Sequence, residues 1–206
     1  MNEYPEILDK VALAVESAKV AKQMIVQQEG IGEDLGFSLM AWEDDDLRAV
    51  VQLSGLFMSD HEERYALMVQ AACILRQGWK ATAFTMVAEG YCSTNPDESK
   101  GKDMAQMFAS PSCDFVRECL AFTHVERGEM LFVVVPYKYV PPRKVMFAEP
   151  LQHQGASVLR DGRYPLSLHR ALELRLPHGD ENFDEEYLRE ILAQELEEIG
   201  FEVNYR

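Results

Sequence analysis

Four residues able to hold a cation or move a proton crowd the middle of the chain: Glu89, Asp114, Glu118 and His124. Carboxylates gathered around magnesium suit phosphoryl or nuclease chemistry, because the cation neutralises charge developing on phosphate oxygens. A second set overlaps the first. Cys92, Cys113, Cys119 and His124 offer thiolates and an imidazole, the donors zinc takes tetrahedrally. Spacing argues against zinc. No Cys-x-x-Cys pair is present, and strand alternation sets Cys119 and His124 on opposite faces. For the acids, the plainer alternative is a cross-strand pair between Glu89 and Arg117, which is modestly stabilising.

Other signatures are missing from the sequence. It has no Gly-x-Ser-x-Gly elbow, no glycine-rich phosphate loop with Lys, no His-Glu-x-x-His and no dinucleotide fingerprint. Asp180-Glu181-Asn182-Phe183-Asp184 lacks the Gly and terminal Glu of a calcium loop. It reads as a helix N-terminus, where acids are favourable.

The elements around these residues follow from periodicity. Ile7, Val11, Ala14, Ala18, Ala21 and Ile25 recur at three- and four-residue steps, so 5–29 is a helix with one apolar stripe, closed by Gly30. Alternation predicts strands at 36–43 and 47–54, with Glu43-Asp44-Asp45-Asp46 as their hairpin turn. Ser59 and Glu62 form a capping box that opens a largely buried helix ending near Gln77. Residues 81–91 read as a central strand. Residues 93–112 are non-periodic, and a loop that long inside a domain is usually functional or mobile.

The clearest hairpin joins 115–126 to 129–140 through Arg127-Gly128. Pro136 removes a ladder donor and marks an edge. A short strand at Val145–Ala148 is expected after Pro141-Pro142. Residues 151–165 read as a loop or linker. Phe183, Tyr187, Leu188, Ile191, Leu192, Leu196 and Ile199 make the apolar stripe of a helix over 183–199, closed by Gly200, with glutamates on its other face.

The middle of the chain resembles a loose set of uncharacterised small bacterial and phage proteins. The resemblance rests on Val87-Ala88-Glu89-Gly90-Tyr91, then Arg117-Glu118-Cys119-Leu120, the Arg127-Gly128 turn and Val134-Val135-Pro136-Tyr137. It covers roughly residues 60–140. It implies a fold core and carries no activity.

Composition bounds the rest. The 206 residues are 47% hydrophobic, enough for one good core. Asp and Glu number 35 against 20 Lys and Arg, a net charge of −15. That sign repels nucleic-acid phosphates and anionic lipid and attracts basic proteins or divalent cations. The N-terminus, Met1-Asn2-Glu3-Tyr4-Pro5-Glu6, is acidic where a secretory signal would be basic. No apolar run approaches the ~20 residues of a membrane helix, and four cysteines suggest reduced thiols in a cytoplasm.

The expected fold is α+β: a mixed, mainly antiparallel sheet of five to six strands, an N-terminal helix, a buried central helix and a C-terminal acidic helix. Residues 1–150 form the core. Residues 151–206 form a linker and an amphipathic helix that packs on the core or on a partner. The leading functional expectation is a non-enzymatic interaction or accessory protein, of phage type, needing no cofactor and binding no nucleic acid or membrane. It would bind a protein partner or a second copy, as in a homodimer, through Tyr187, Leu188, Ile191 and Leu192. The acidic tail would meet the locally basic segment from Lys138 to Arg175, within one chain or between two. The alternative is a metal-dependent hydrolase for a small phosphorylated or nucleotide substrate, with Glu89, Asp114, Glu118 and His124 as ligands.

Overall fold

The computed structural model describes residues 5–31, 34–53, 61–93, 107, 115–126, 129–154, 163–176 and 184–205. Periodic apolar residues set the first helix, α1 (Pro5–Gln28). A hairpin follows, β1 (Phe37–Glu43) and β2 (Asp46–Leu53), turning at Asp44-Asp45. Asp44 takes a left-handed φ of 49°, which aspartate tolerates better than most residues. The central helix, α2 (His61–Trp79), leads into β3 (Ala83–Ser93). The long hairpin of β4 (Val116–Glu126) and β5 (Glu129–Val140) sits where the sequence places it. Ser59 of the expected capping box, and the loop at 93–112 apart from Ser93 and Met107, lie outside the described residues, while Glu62, the partner of Ser59 in that box, sits in the first turn of α2.

Two strands share the outer edge of β5. β6 (Lys144–Phe147) pairs with Tyr137–Val140, and β7 (Leu151–Gln154) pairs with Leu131–Val134. Pro136 explains the break. Its carbonyl accepts from Ala148 N at 2.8 Å on that edge, but proline has no N–H to return the bond. The ladder therefore cannot close at this point, and the edge strand divides in two.

The chain continues into α3 (Arg163–Glu173), α4 (Glu185–Glu198) and β8 (Phe201–Tyr205). β8 pairs with β2, so the sheet order is β6-β5-β4-β3-β1-β2-β8, with β7 beside β5. All pairings among the described strands are antiparallel. The fold is thus α+β with a mainly antiparallel sheet and an N-terminal helix, as the sequence implies.

The strand number differs. Eight strands are described rather than five or six, because β7 and β8 hold only four and five residues and lie in polar stretches. The region read as a linker at 151–165 includes β7 and the start of α3.

Helices cover both faces. On one face α1 packs Val11, Ala14, Val15 and Ala18 over Val87, Leu120, Phe122, Val133 and Val135. On the other, α2, α3 and α4 bury Met68, Leu75, Leu168, Leu192 and Leu196 against Leu39, Val51, Phe84 and Phe201. Side chains also tie these helices by their ends. Arg76 on α2 donates to Ala171 O and Leu174 O at the end of α3, and Arg189 Nε donates to Gly78 O at 2.9 Å. Such bonds satisfy carbonyls a helix leaves open. Gly78 lets α4 come close, since a Cβ there would stand 3.0 Å from Leu192 Cδ1. No described helix is long and apolar enough to cross a membrane.

Candidate functional site

Two buried polar clusters among the described residues lie between α1 and the sheet. At one end, Lys22 from α1 reaches Glu89 on β3. Lys22 Nζ donates to Glu89 Oε2 at 2.9 Å, Tyr137 Oη donates to the same oxygen at 3.0 Å, and Leu35 N donates to Oε1 at 2.9 Å. The Lys22 side chain is 0% exposed and that of Glu89 is 11% exposed. The ammonium also faces the rings of Tyr137 and Tyr139, 5.3 and 5.7 Å from their centroids. Burial pulls the Lys22 pKa down, but the hydrogen bond and charge of Glu89, helped by Tyr139, outweigh it and hold the pKa above the ordinary lysine value. Lys22 is therefore a fixed cation and not a nucleophile. Beside it, burial pushes Glu118 up against the lowering charge of Lys22, with Glu89 and Asp34 adding repulsion.

At the other end a relay runs through the core. Trp42 Nε1 donates to Thr85 Oγ1 at 2.9 Å, Thr85 Oγ1 lies 2.8 Å from His124 Nδ1, and His124 Nε2 lies 3.4 Å from Glu126 Oε2. Lys10 Nζ from α1 donates to that same Glu126 oxygen at 2.8 Å. One assignment satisfies every group. Thr85 accepts from Trp42 and donates to Nδ1, so the neutral imidazole carries its proton on Nε2, facing Glu126. Burial holds His124 below its ordinary value, against the raising effect of Glu126. The His124 bond, with the bond and charge of Lys10, holds Glu126 at about 2.

Hydroxyl, imidazole and carboxylate in sequence have the order of a nucleophile, a base and an orienting acid. Here the hydroxyl already serves Trp42 and His124, and Thr85, like His124, is fully buried. The relay anchors α1 and ties β1, β3 and β4 together.

The structure gathers only part of each expected ligand set. Glu89 and Glu118 lie on the α1 face, where the charge of Glu89 helps to raise Glu118. His124 shares that face, but it is six residues along β4 from Glu118, about 20 Å at strand rise. A single ion cannot take both. Asp114 and Cys113 fall outside the described residues. Among the described residues, no group of three or more His, Cys, Asp or Glu could hold a metal. The expected Glu89–Arg117 pair does not form either. Glu89 opposes Leu120 in register, and Arg117 opposes Cys92 on the other face.

Cys92 and Cys119 are diagonal neighbours across β3 and β4 on the face away from α1. Their thiols are hydrogen-bonded, which pulls Cys92 below and pushes Cys119 above the ordinary thiol value. On α4, Leu192 is buried in the core of its own chain and Leu188 packs beside it. Ile191 is half-buried, and Tyr187 stands 55% exposed. Lys10 and Lys22 are the functional-looking residues the sequence did not flag. Each interrupts an otherwise small and apolar helix face.

Comparison with protein-family models, curated proteins and solved structures finds no match to this chain.

Two outcomes follow from the geometry. Glu89→Ala leaves the Lys22 ammonium buried without its counter-charge and should lower unfolding free energy by about 3–5 kcal/mol. Lys22→Met should cost clearly less, because Glu89 keeps Leu35 N and Tyr137. Urea denaturation of the three proteins measures this, and equal losses would refute the assignment.

The second concerns acid. The unfolded chain takes up a proton at His124 below pH 6.5 that the folded chain declines, so stability falls as pH drops through that value. Glu126 gives stability that is full above pH 4.5 and is lost as pH falls toward about 2. The urea midpoint should drop from pH 7 to 5 and further from 5 to 3, with a shallower lower limb in Glu126→Gln. A flat profile from pH 7 to 5 would contradict the buried neutral imidazole.

Proposed function

We propose that the protein is a non-enzymatic accessory protein that holds a basic protein partner along α4 and β8. The observation that carries this reading is the charge on that edge. Glu186, Glu190, Glu195, Glu197 and Glu198 on α4 are exposed, and none makes an ion pair among the described residues; Glu202 on β8 is exposed too, but alternation turns it to the other side of the sheet from α4. Of the described α4 glutamates, only Glu185 is paired, with Lys80 at 2.7 Å and with Arg189 of the same helix at 3.5 Å. A face of one sign raises the encounter rate with a surface of opposite sign and rejects anions.

Two neighbouring features suit a partner. β8 is an end strand of the sheet, so one row of its backbone groups faces outward. An extended segment could add there as a further strand, with main-chain bonds giving affinity and side chains giving choice. Tyr187 stands exposed on the adjoining helix and offers the aromatic anchor such interfaces favour. The hydrolase reading has no comparable support, because both oxygens of Glu89 are already engaged.

Affinity capture from a bacterial lysate at moderate salt tests the reading. Wild-type protein should retain a stoichiometric basic partner. Capture should fall in high salt and in a triple variant, Glu190→Gln, Glu195→Gln and Glu198→Gln, whose fold is unchanged because these side chains are exposed. A partner retained equally by the variant would move the interface elsewhere. No stoichiometric partner, together with a monomeric mass by light scattering, would end the proposal.

A further inference from the structure

The opposite end of the sheet carries the reverse charge. A pocket of about 520 Å³ opens where β6 gives way to β7, within the range of small-molecule sites. Arg117, Pro136, Lys138, Met146, Glu149 and Leu151 supply its chemistry. The break at Pro136 creates it, because the edge strand leaves β5 there and returns three residues later.

Register explains its charge. Cys92 opposes Arg117, Glu118 opposes Tyr137, and Lys138 opposes Met146. Carrying the β4–β5 pairing one residue further sets Arg117 directly across from Lys138. One row on one face therefore reads Cys92, Arg117, Lys138, Met146. Like charges directly opposite on a sheet are destabilising.

Neither cation is neutralised by a carboxylate at ion-pair distance among the described residues. Arg117 spends one Nη1 bond on Val116 O at 2.9 Å, which leaves the rest of its guanidinium fork open. In a chain of net charge −15, an unneutralised cation pair over apolar walls is a local reversal. Pro136, exposed Met146 and exposed Leu151 form those walls.

We propose that this pocket binds a small amphipathic carboxylate, its head between Arg117 and Lys138 and its apolar body along Pro136, Met146 and Leu151. A carboxylate fits the guanidinium fork by two parallel bonds. Glu149 also lines the pocket without pairing with either cation, so the charged lining residues sum to one net positive charge, which a monoanion balances. A phosphate dianion would leave excess negative charge beside Glu149. The bound head also relieves the repulsion between Arg117 and Lys138.

Calorimetric titration with decanoate, decyl phosphate and decanol, each kept below its aggregation concentration, tests the site. Decanoate should saturate one site per chain, and decanol should bind about tenfold more weakly, since it lacks the charge-assisted bonds. Lys138→Gln and Arg117→Gln should each weaken decanoate about tenfold. Lys138 is exposed, so its variant keeps the fold. Without ligand it should melt at or above the wild-type temperature, because it removes a like-charge contact. Decanol binding as tightly as decanoate, or wild-type affinity in Lys138→Gln, would overturn the proposal. Tighter binding of decyl phosphate than of decanoate would overturn the carboxylate assignment.

Discussion

The buried pair of Lys22 and Glu89 is the constraint on which the α1 layer depends. Taking an ammonium and a carboxylate out of water costs several kcal/mol per ion, and their attraction offsets this only with good geometry and further hydrogen bonds. Both conditions hold. Glu89 receives three donors, and Lys22 lies against two tyrosine rings. The pair therefore tolerates one arrangement of α1, β3 and β5 and penalises the rest. The apolar stripe of α1 could not do this alone. Val11, Ala14, Val15 and Ala18 are small, and a smooth stripe can slide along a sheet. Lys10 and Glu126 form the second fixed point. The two lysines stand about 18 Å apart along the helix. The positions of Glu126 and Glu89 along β3 differ by six residues, about 20 Å. That agreement in length lays α1 along β3, running in the same direction.

The same constraint consumes the residues that look chemical. Glu89 and His124 were candidates because their types suit catalysis, yet each is engaged in holding layers together. A buried polar group without a partner is costly, so a core that contains one must complete its network. The relay from Trp42 to Lys10 is complete, and among the described residues no buried side-chain nitrogen or oxygen lacks a bond.

Legibility in the sequence followed the length of each pattern. α1, α2 and the β4–β5 hairpin repeat their periods several times and were read to within a few residues. Pro136 points to an edge strand in the sequence, but β5 is paired with β4 on one side and with β6 and β7 on the other; the proline instead splits the neighbouring strand in two. β7, β8 and α3 were missed for a physical reason. Phe201, Val203 and Tyr205 alternate with polar residues for one short run after a helix-stopping glycine, too brief to separate from a tail. The site was harder still. Nothing in the local sequence joins Glu89 to Lys22, 67 residues before it, and a lysine in a helix reads by default as solvent-facing. Arg117 and Lys138 could be paired only once the hairpin register was known.

Charge along the sheet then bears on what kind of partner fits. The acidic surface lies at the β8 end and the unneutralised cations at the β6 end, with the sheet between them. Seven strands in that order place the two ends roughly 29 Å apart. α4 packs on α2, so its glutamates do not meet Lys138, Arg143 or Lys144 of their own chain. Between copies, the acidic end of one could meet the basic end of another, but these are different surfaces. Such a contact is head-to-tail and closes into a ring or runs on as a filament; it does not make a two-fold dimer. A two-fold dimer through β8 would set the two acidic faces of α4 against each other, where like charges repel. Charge geometry is therefore more consistent with the proposed separate basic partner at the β8 end than with a two-fold dimer there.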